Sequence, residues 1–214
     1  MAFLWSQGEH VTLIGRTGSG KTSLARELLK LRRYVIVMLS KPDPLIWPGT
    51  WKRISTVKQV DVADATRYLL KPSYERQASE FYQAFSMAWE QGGWCVYIDE
   101  LYYMQRLGLE ESIVKLLTQG RSNFLTVVCG VQRPAWVSRF AFSEPRYVIS
   151  AKLGDRADIR RVGEIVGEGY VQECEKLDWH EFLVLDRQTD TMQMVTRDTV
   201  ADVFKNVASS RKAG

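Results

Sequence analysis

Gly15-Arg16-Thr17-Gly18-Ser19-Gly20-Lys21-Thr22 stands between the apolar run His10 to Ile14 and a segment, Lys21 to Leu31, whose Leu24, Leu28, Leu29 and Leu31 recur with helical spacing. The stretch satisfies G-x-x-x-x-G-K-[ST] at every fixed position. It also has the context that motif requires, a strand before and a helix after. Glycines let the backbone wrap an anion with no Cβ in the way. The loop N–H groups and the N-terminus of the following helix then face that anion. Residues Gly15, Arg16, Thr17, Gly18, Ser19, Gly20, Lys21, Thr22 and Ser23 are therefore the expected phosphate cradle. Lys21 is expected on the β- and γ-phosphates of a nucleoside triphosphate, and the Thr22 hydroxyl on Mg2+. A glycine-rich turn before an unrelated helix is the competing reading, and the motif in its context outweighs it.

Outward from the cradle, Tyr34 to Leu39, Trp94 to Ile98, Phe124 to Cys129 and Tyr147 to Ala151 are apolar without alternation. Strands of that kind are buried on both faces, as in a parallel sheet. Tyr74 to Glu90 reads as a helix with Phe81, Phe85, Ala88 and Trp89 inward, stopped by Gly92-Gly93. Gly108 to Gln119, capped by Gly120, and Asp155 to Val166 read as further helices. Lys41 to Trp51, with Pro42, Pro44, Pro48 and Gly49, is an expected loop. Arg53 to Val57 and Val60 to Val62 are expected as short strand pieces. Phe182 to Asp186 and Met192 to Thr196 form an expected hairpin about Gln188-Thr189-Asp190. Asp198 to Ala208 is expected as a closing helix and 209–214 as a frayed tail. The alternation of strands and helices predicts an α/β fold, a mostly parallel sheet flanked by helices with a C-terminal β-hairpin. A single domain over 1–208 is expected.

Asp99-Glu100 follows the strand Trp94 to Ile98, at the end where open α/β sheets bind ligands. Asp99 is expected to hold Mg2+, and Glu100 to act as general base on the attacking water. Alone, an acidic pair at a strand end reads as a solvated feature; beside a full phosphate loop it reads as catalytic. A water-activating carboxylate favours hydrolysis of the triphosphate over transfer to a small metabolite. Gln132, after the strand Phe124 to Cys129, is a candidate sensor of the γ-phosphate, against the plainer reading of a loop amide.

The chain has 214 residues, 45% hydrophobic and 25% charged, with a formal net charge of +4. These values fit a soluble globular protein and permit contact with nucleic acid without demanding it. Seven tryptophans suggest core packing or an aromatic surface for a partner. Cys95, Cys129 and Cys174 are odd in number and lack metal-ligand spacing, which predicts free thiols in a reducing compartment. The N-terminus has no signal-peptide pattern, and no apolar run approaches the ~20 residues that span a bilayer. A soluble protein of the cytoplasm, of the host if viral, with no membrane contact, is expected.

Together these residues resemble the HerA/FtsK superfamily of DNA-pumping P-loop ATPases. The resemblance rests on the phosphate loop, on Val96-Tyr97-Ile98-Asp99-Glu100, and on Gly120-Arg121-Ser122-Asn123 followed by a buried strand and Val131-Gln132-Arg133-Pro134. Val148-Ile149-Ser150 and Asp155-Arg156-Ala157-Asp158 extend it, so that it covers most of residues 10 to 170. It implies a RecA-like core that binds ATP and Mg2+ and works as a ring, a hexamer or in phage packaging motors a pentamer, around duplex DNA held through its phosphates. It further implies a motor component such as a phage portal as partner. Lys21, Thr22, Asp99, Glu100 and Gln132 take the corresponding catalytic roles, and Arg121 falls where an arginine finger could reach a neighbouring subunit. Arg133 and Arg146 are rivals for that finger. No extra DNA-orienting domain, membrane anchor or nuclease domain is evident, which suits a minimal viral or plasmid-borne motor and equally the ATPase subunit of a larger assembly.

Lys52-Arg53, Lys58, Arg67 and Lys71, with Trp47 and Trp51 nearby, are candidates for DNA contact, against the plainer reading of a solvated face. A DNA translocase or packaging motor is thus the leading expectation. A nucleotide-dependent assembly ATPase that does not move DNA is the alternative. A metabolite kinase would need an arginine-rich lid, and an AAA+ domain a helical lid where 181–196 reads as strands.

Overall fold

The computed structural model describes residues 2–41, 46–64 and 66–207. In chain order it contains β1 (Phe3–Ser6), β2 (Val11–Ile14), α1 (Lys21–Leu29), β3 (Val35–Met38), β4 (Lys52–Ile54), β5 (Arg67–Leu70) and α2 (Gln77–Gln91). There follow β6 (Cys95–Ile98), α3 (Leu101–Arg106), α4 (Glu110–Gln119), β7 (Thr126–Val131), α5 (Phe140–Ser143) and β8 (Tyr147–Ser150). The last elements are α6 (Arg156–Val166), α7 (Glu168–Glu175), β9 (Glu181–Asp186), β10 (Thr191–Thr196), α8 (Val200–Val203) and β11 (Phe204–Val207).

Among the described residues the main sheet has the order β10-β9-β8-β2-β7-β6-β3-β5-β4. From β8 to β4 every neighbouring pair is parallel, and β9 runs antiparallel to both β8 and β10. The strands beside the cradle are buried at every position, because helices cover both faces. On one face Phe81, Phe85 and Ala88 of α2 and Ile113 and Leu116 of α4 join Ile36, Val96 and Val127 in one apolar cluster. On the other, Leu24, Ala25 and Leu28 of α1 join Leu13, Val37 and Val128. The parallel sheet and the late hairpin are as the sequence predicts, with Asp190 at φ 52° turning β9 into β10.

Several local expectations fail for identifiable reasons. Of the expected strand piece Arg53 to Val57 only Arg53 and Ile54 lie in a strand, β4, and Val60 to Val62 is not a strand. Side chains take the backbone N–H groups there: Gln59 Oε1 accepts from Ser55 and Thr56, and the buried Glu80 carboxylate accepts from Val57 at 2.8 Å. β5, α3 and α7 arise where no element is expected. Trp89 packs against the core cluster but stays half-buried at its edge, with the Lys115 ammonium 4.4 Å from its ring centre. The closing helix is a single turn, α8, followed by a strand. Phe204 leaves the helix to pack against Phe3, Trp5 and Tyr147, at ring separations of 5.4, 6.0 and 5.0 Å, and β11 pairs parallel with β1. Pro42, Pro44 and the expected tail 209–214 lie outside the described residues.

Candidate nucleotide-binding and hydrolysis site

β2 delivers the phosphate loop at the carboxyl edge of the sheet. Its neighbour β7 delivers Gln132, and β6, one strand further, delivers Asp99 and Glu100. Gly20 sits at φ 91°, in the left-handed region that side chains disfavour, where the loop turns into α1. Gly130 meets a different demand. A Cβ there would lie 2.3 Å from the Asp99 carbonyl oxygen, so only glycine lets the chain after β6 cross over β7.

Lys21 is buried at the first position of α1, and its Nζ donates to the Arg16 carbonyl at 3.4 Å. Burial pulls its ammonium down to about 8, against the opposing pull of Asp99 and Glu100. A bound polyphosphate would supply the missing countercharge. Thr22 Oγ1 donates to Asp99 Oδ1 at 2.9 Å, and the Tyr97 hydroxyl donates to the same oxygen at 2.7 Å. Burial holds the Tyr97 phenol well above its ordinary range, so it stays a donor and orients the carboxylate. Two hard oxygen donors thus meet beside Lys21. That set fits Mg2+, which takes few protein ligands and completes its shell with water and substrate phosphates. Among the described residues no cluster of three or more His, Cys, Asp or Glu offers a protein-only metal cage.

Glu100 is buried at the start of α3, and burial raises its carboxyl, while Lys41 and Lys21 pull it down. Lys41 Nζ lies 3.4 Å from Glu100 Oε2. Gln132 Oε1 accepts from Thr17 Oγ1 at 3.0 Å, which fixes the amide against the phosphate loop. The structure therefore gathers Lys21, Thr22, Asp99, Glu100 and Gln132 at one edge of the sheet.

It does not bring Arg121 there. Arg121 lies in the turn Gly120–Asn123 before β7, at the opposite end of the strands, on a hollow shared with Glu9, His10 and Arg187. Any part it plays in nucleotide chemistry requires a second subunit. Arg146 is engaged by Glu9 at 2.6 Å and Asp186 at 2.7 Å. Arg133 borders the site with Arg16, Thr17 and Gln132, tied at 3.1 Å to both Asp155 and Asp158. Lys41, Tyr97, Trp179 and His180 also belong to the neighbourhood. Tyr97 carried a readable signal, since it stands two residues before Asp99 and strand side chains alternate. His180 Nδ1, 3.3 Å from the Ser19 carbonyl, comes from 161 residues away, and no local pattern announces it.

No protein-family model matches the chain. The DNA packaging ATPase P9 of Enterobacteria phage PRD1 is 30% identical over 178 residues, covering 79% of this chain and 73% of that protein. The genome packaging NTPase B204 of Sulfolobus turreted icosahedral virus 2, solved with ATP-γ-S, superposes with a TM-score of 0.70 at 16% identity, covering 88% of this chain and 97% of that one. The pCW3 conjugation coupling protein TcpA, also solved with ATP-γ-S, superposes at 0.59 with 14% identity, covering 90% of this chain and 62% of that one. Among the described residues no helix is long and apolar enough to cross a membrane. With its phosphate loop, acid pair and polar strand-end amide in place, the chain belongs to the family of phage DNA packaging ATPases that includes P9.

Proposed function

We propose that this ATPase is the motor subunit that drives duplex DNA into a viral particle, working as a ring of five or six copies against a portal or equivalent vertex in the host cytoplasm. The observation that carries the hydrolytic part is the contact of Thr22 Oγ1 with Asp99 Oδ1 beside buried Lys21 and Glu100. Thr22 and Asp99 would hold Mg2+, which when bound draws negative charge from the phosphates. Lys21 binds the β- and γ-phosphates. Gln132 and Glu100 position a water in line with the γ-phosphorus. The water oxygen bonds to that phosphorus, its proton passes to the Glu100 carboxylate, and the bond to the β–γ bridging oxygen breaks, leaving ADP and phosphate. A carboxyl raised by burial is a stronger base for that proton.

The relatives' packaging role supports the DNA part of the reading. Exposed Lys58 and Lys71, on the outer side of the sheet near β4 and β5, offer cations to phosphates of any sequence. Lys52 is paired with Asp64, and Arg67 donates to the Lys30 carbonyl. Trp47 and Trp51 are buried against one another and do not present an aromatic surface to DNA. The test is steady-state ATP hydrolysis with and without duplex DNA, wild type beside Glu100→Gln. Stimulation by DNA of any sequence, absent in the variant while ATP still binds, is expected. Hydrolysis indifferent to DNA at every salt and protein concentration would favour an assembly ATPase instead.

A further inference from the structure

The turn between α7 and β9 lays two aromatic residues against the phosphate loop. His180 adopts φ 67°, a conformation uncommon for a residue with a side chain, and its Nδ1 sits 3.3 Å from the Ser19 carbonyl. A Cβ on Gly20 would stand only 3.0 Å from the same nitrogen. Trp179 meets the His180 ring edge-on at 5.3 Å, and its indole lies 3.8 Å from where a Cβ on Gly18 would be. This indole is nevertheless 61% exposed. An aromatic plane held against a phosphate loop by His180 yet open to solvent is free to stack on a ligand.

Beside it is a hollow of about 490 Å3, lined among others by Gly20, Ser23, Trp179, Phe182, Thr196 and Asp198. Its size falls within the roughly 300–1,000 Å3 of small-molecule sites. It is built of an aromatic wall with hydroxyl, carboxylate and guanidinium groups on the rim, where Asp198 accepts from Arg197 Nε at 2.8 Å through one carboxylate oxygen. Gly20 and Ser23, which belong to the cradle, also line this hollow, so it opens directly from the phosphate-binding residues. Gln132 and Arg133 line the hollow on the other side of Trp179.

We infer that the nucleobase and ribose of the bound nucleotide occupy the hollow between α1 and the β9–β10 hairpin, with the Trp179 indole as the stacking plane. Thr196 and Asp198 offer oxygen acceptors to ribose hydroxyls or an exocyclic amine. The inference rests on the reading of Gly15 to Thr22 as the phosphate cradle. It adds that affinity for the base comes from a segment far along the chain, docked on the loop by His180.

Calorimetric titration of wild type, Trp179→Ala, Trp179→Phe and Lys21→Ala with ADP and with inorganic tripolyphosphate tests it. Trp179→Ala is expected to weaken ADP by roughly 5- to 150-fold, the range for loss of a base-stacking aromatic, and to leave tripolyphosphate unchanged. Trp179→Phe should keep most of the ADP affinity. Equal losses for both ligands, or no loss for either, would overturn the inference. In wild type, ADP and not tripolyphosphate should quench a tryptophan signal that Trp179→Phe lacks; the same signal with both ligands would also count against it. Failure of Lys21→Ala to weaken either ligand would overturn the cradle reading itself, and this inference with it.

Discussion

Lys21 is held at a cost in the nucleotide-free protein. Its depression from 10.5 to about 8 corresponds to roughly 3 kcal/mol of disfavoured charge burial. The folded state binds fewer protons than the unfolded one between those values, so this penalty is full below about 8 and fades as pH rises toward 10.5. Lys21→Met should therefore unfold at higher urea than wild type at neutral pH, by on the order of 1–3 kcal/mol, with the gap closing at alkaline pH. The same variant should lose ATP binding. Glu100 makes the complementary case. Burial raises its carboxyl and Lys41 lowers it, so hydrolysis should fail on acidification at a pH above the ordinary glutamate value of 4.5. Lys41→Ala should move that acid limb further up. A pH profile of kcat for the two proteins checks it, and an unmoved limb would remove Lys41 from the site.

At the scale of elements, the site depends on how closely β6 and β7 cross. Cys95↔Thr126 and Ile98↔Cys129 are partners, which puts Gly130 directly under the turn that carries Asp99. The atom in the way of a side chain is a backbone oxygen, which has no rotamer to change. Gly130→Ala should cost about 1–3 kcal/mol in denaturant unfolding, the range for forced overpacking, and should lower hydrolysis more than ATP binding because it displaces Asp99 and Glu100 and spares the loop. The reverse ranking would show that the crossing does not set their position. The β9–β10 hairpin works at the same scale. It continues the sheet beyond β8 and brings the Trp179–His180 turn over the loop.

For the whole molecule, β1 and β11 tie the two ends of the described chain together through Phe3, Trp5, Tyr147 and Phe204. Arg32 adds a guanidinium 3.7 Å over Trp5 that donates to the carbonyls of Trp5 and Ser6. Phe204→Ala should cost about 3–5 kcal/mol, the usual loss for a buried phenylalanine, read as a shift in urea midpoint with an unchanged slope. Assembly is the next level. Arg121 lies away from its own subunit's phosphates, so a finger role predicts complementation. Lys21→Ala and Arg121→Ala, each inactive alone, should recover part of the ATPase rate when mixed. Recovery with Arg133→Ala instead would transfer the role to Arg133.

The sequence alone determined the position of the glycine-rich loop, the acid pair and the parallel core. Each is written locally: eight consecutive residues, two adjacent acids after an apolar run, strands apolar on both faces. Helix and strand periods act over a few residues, so Gly15 to Thr22 and Trp94 to Glu100 could be read without knowing their neighbours. What stands beside what was decided only in three dimensions. Phe204 reads as helical until β1 is there to pair with it, and Arg53 to Val57 reads as a strand piece until Gln59 and Glu80 take the N–H groups of Ser55, Thr56 and Val57. Trp179 reads as one tryptophan among seven until the hairpin places it on Gly18. These outcomes depend on contacts between residues far apart in the chain, whose free energy comes from packing and hydrogen bonding that no local pattern encodes.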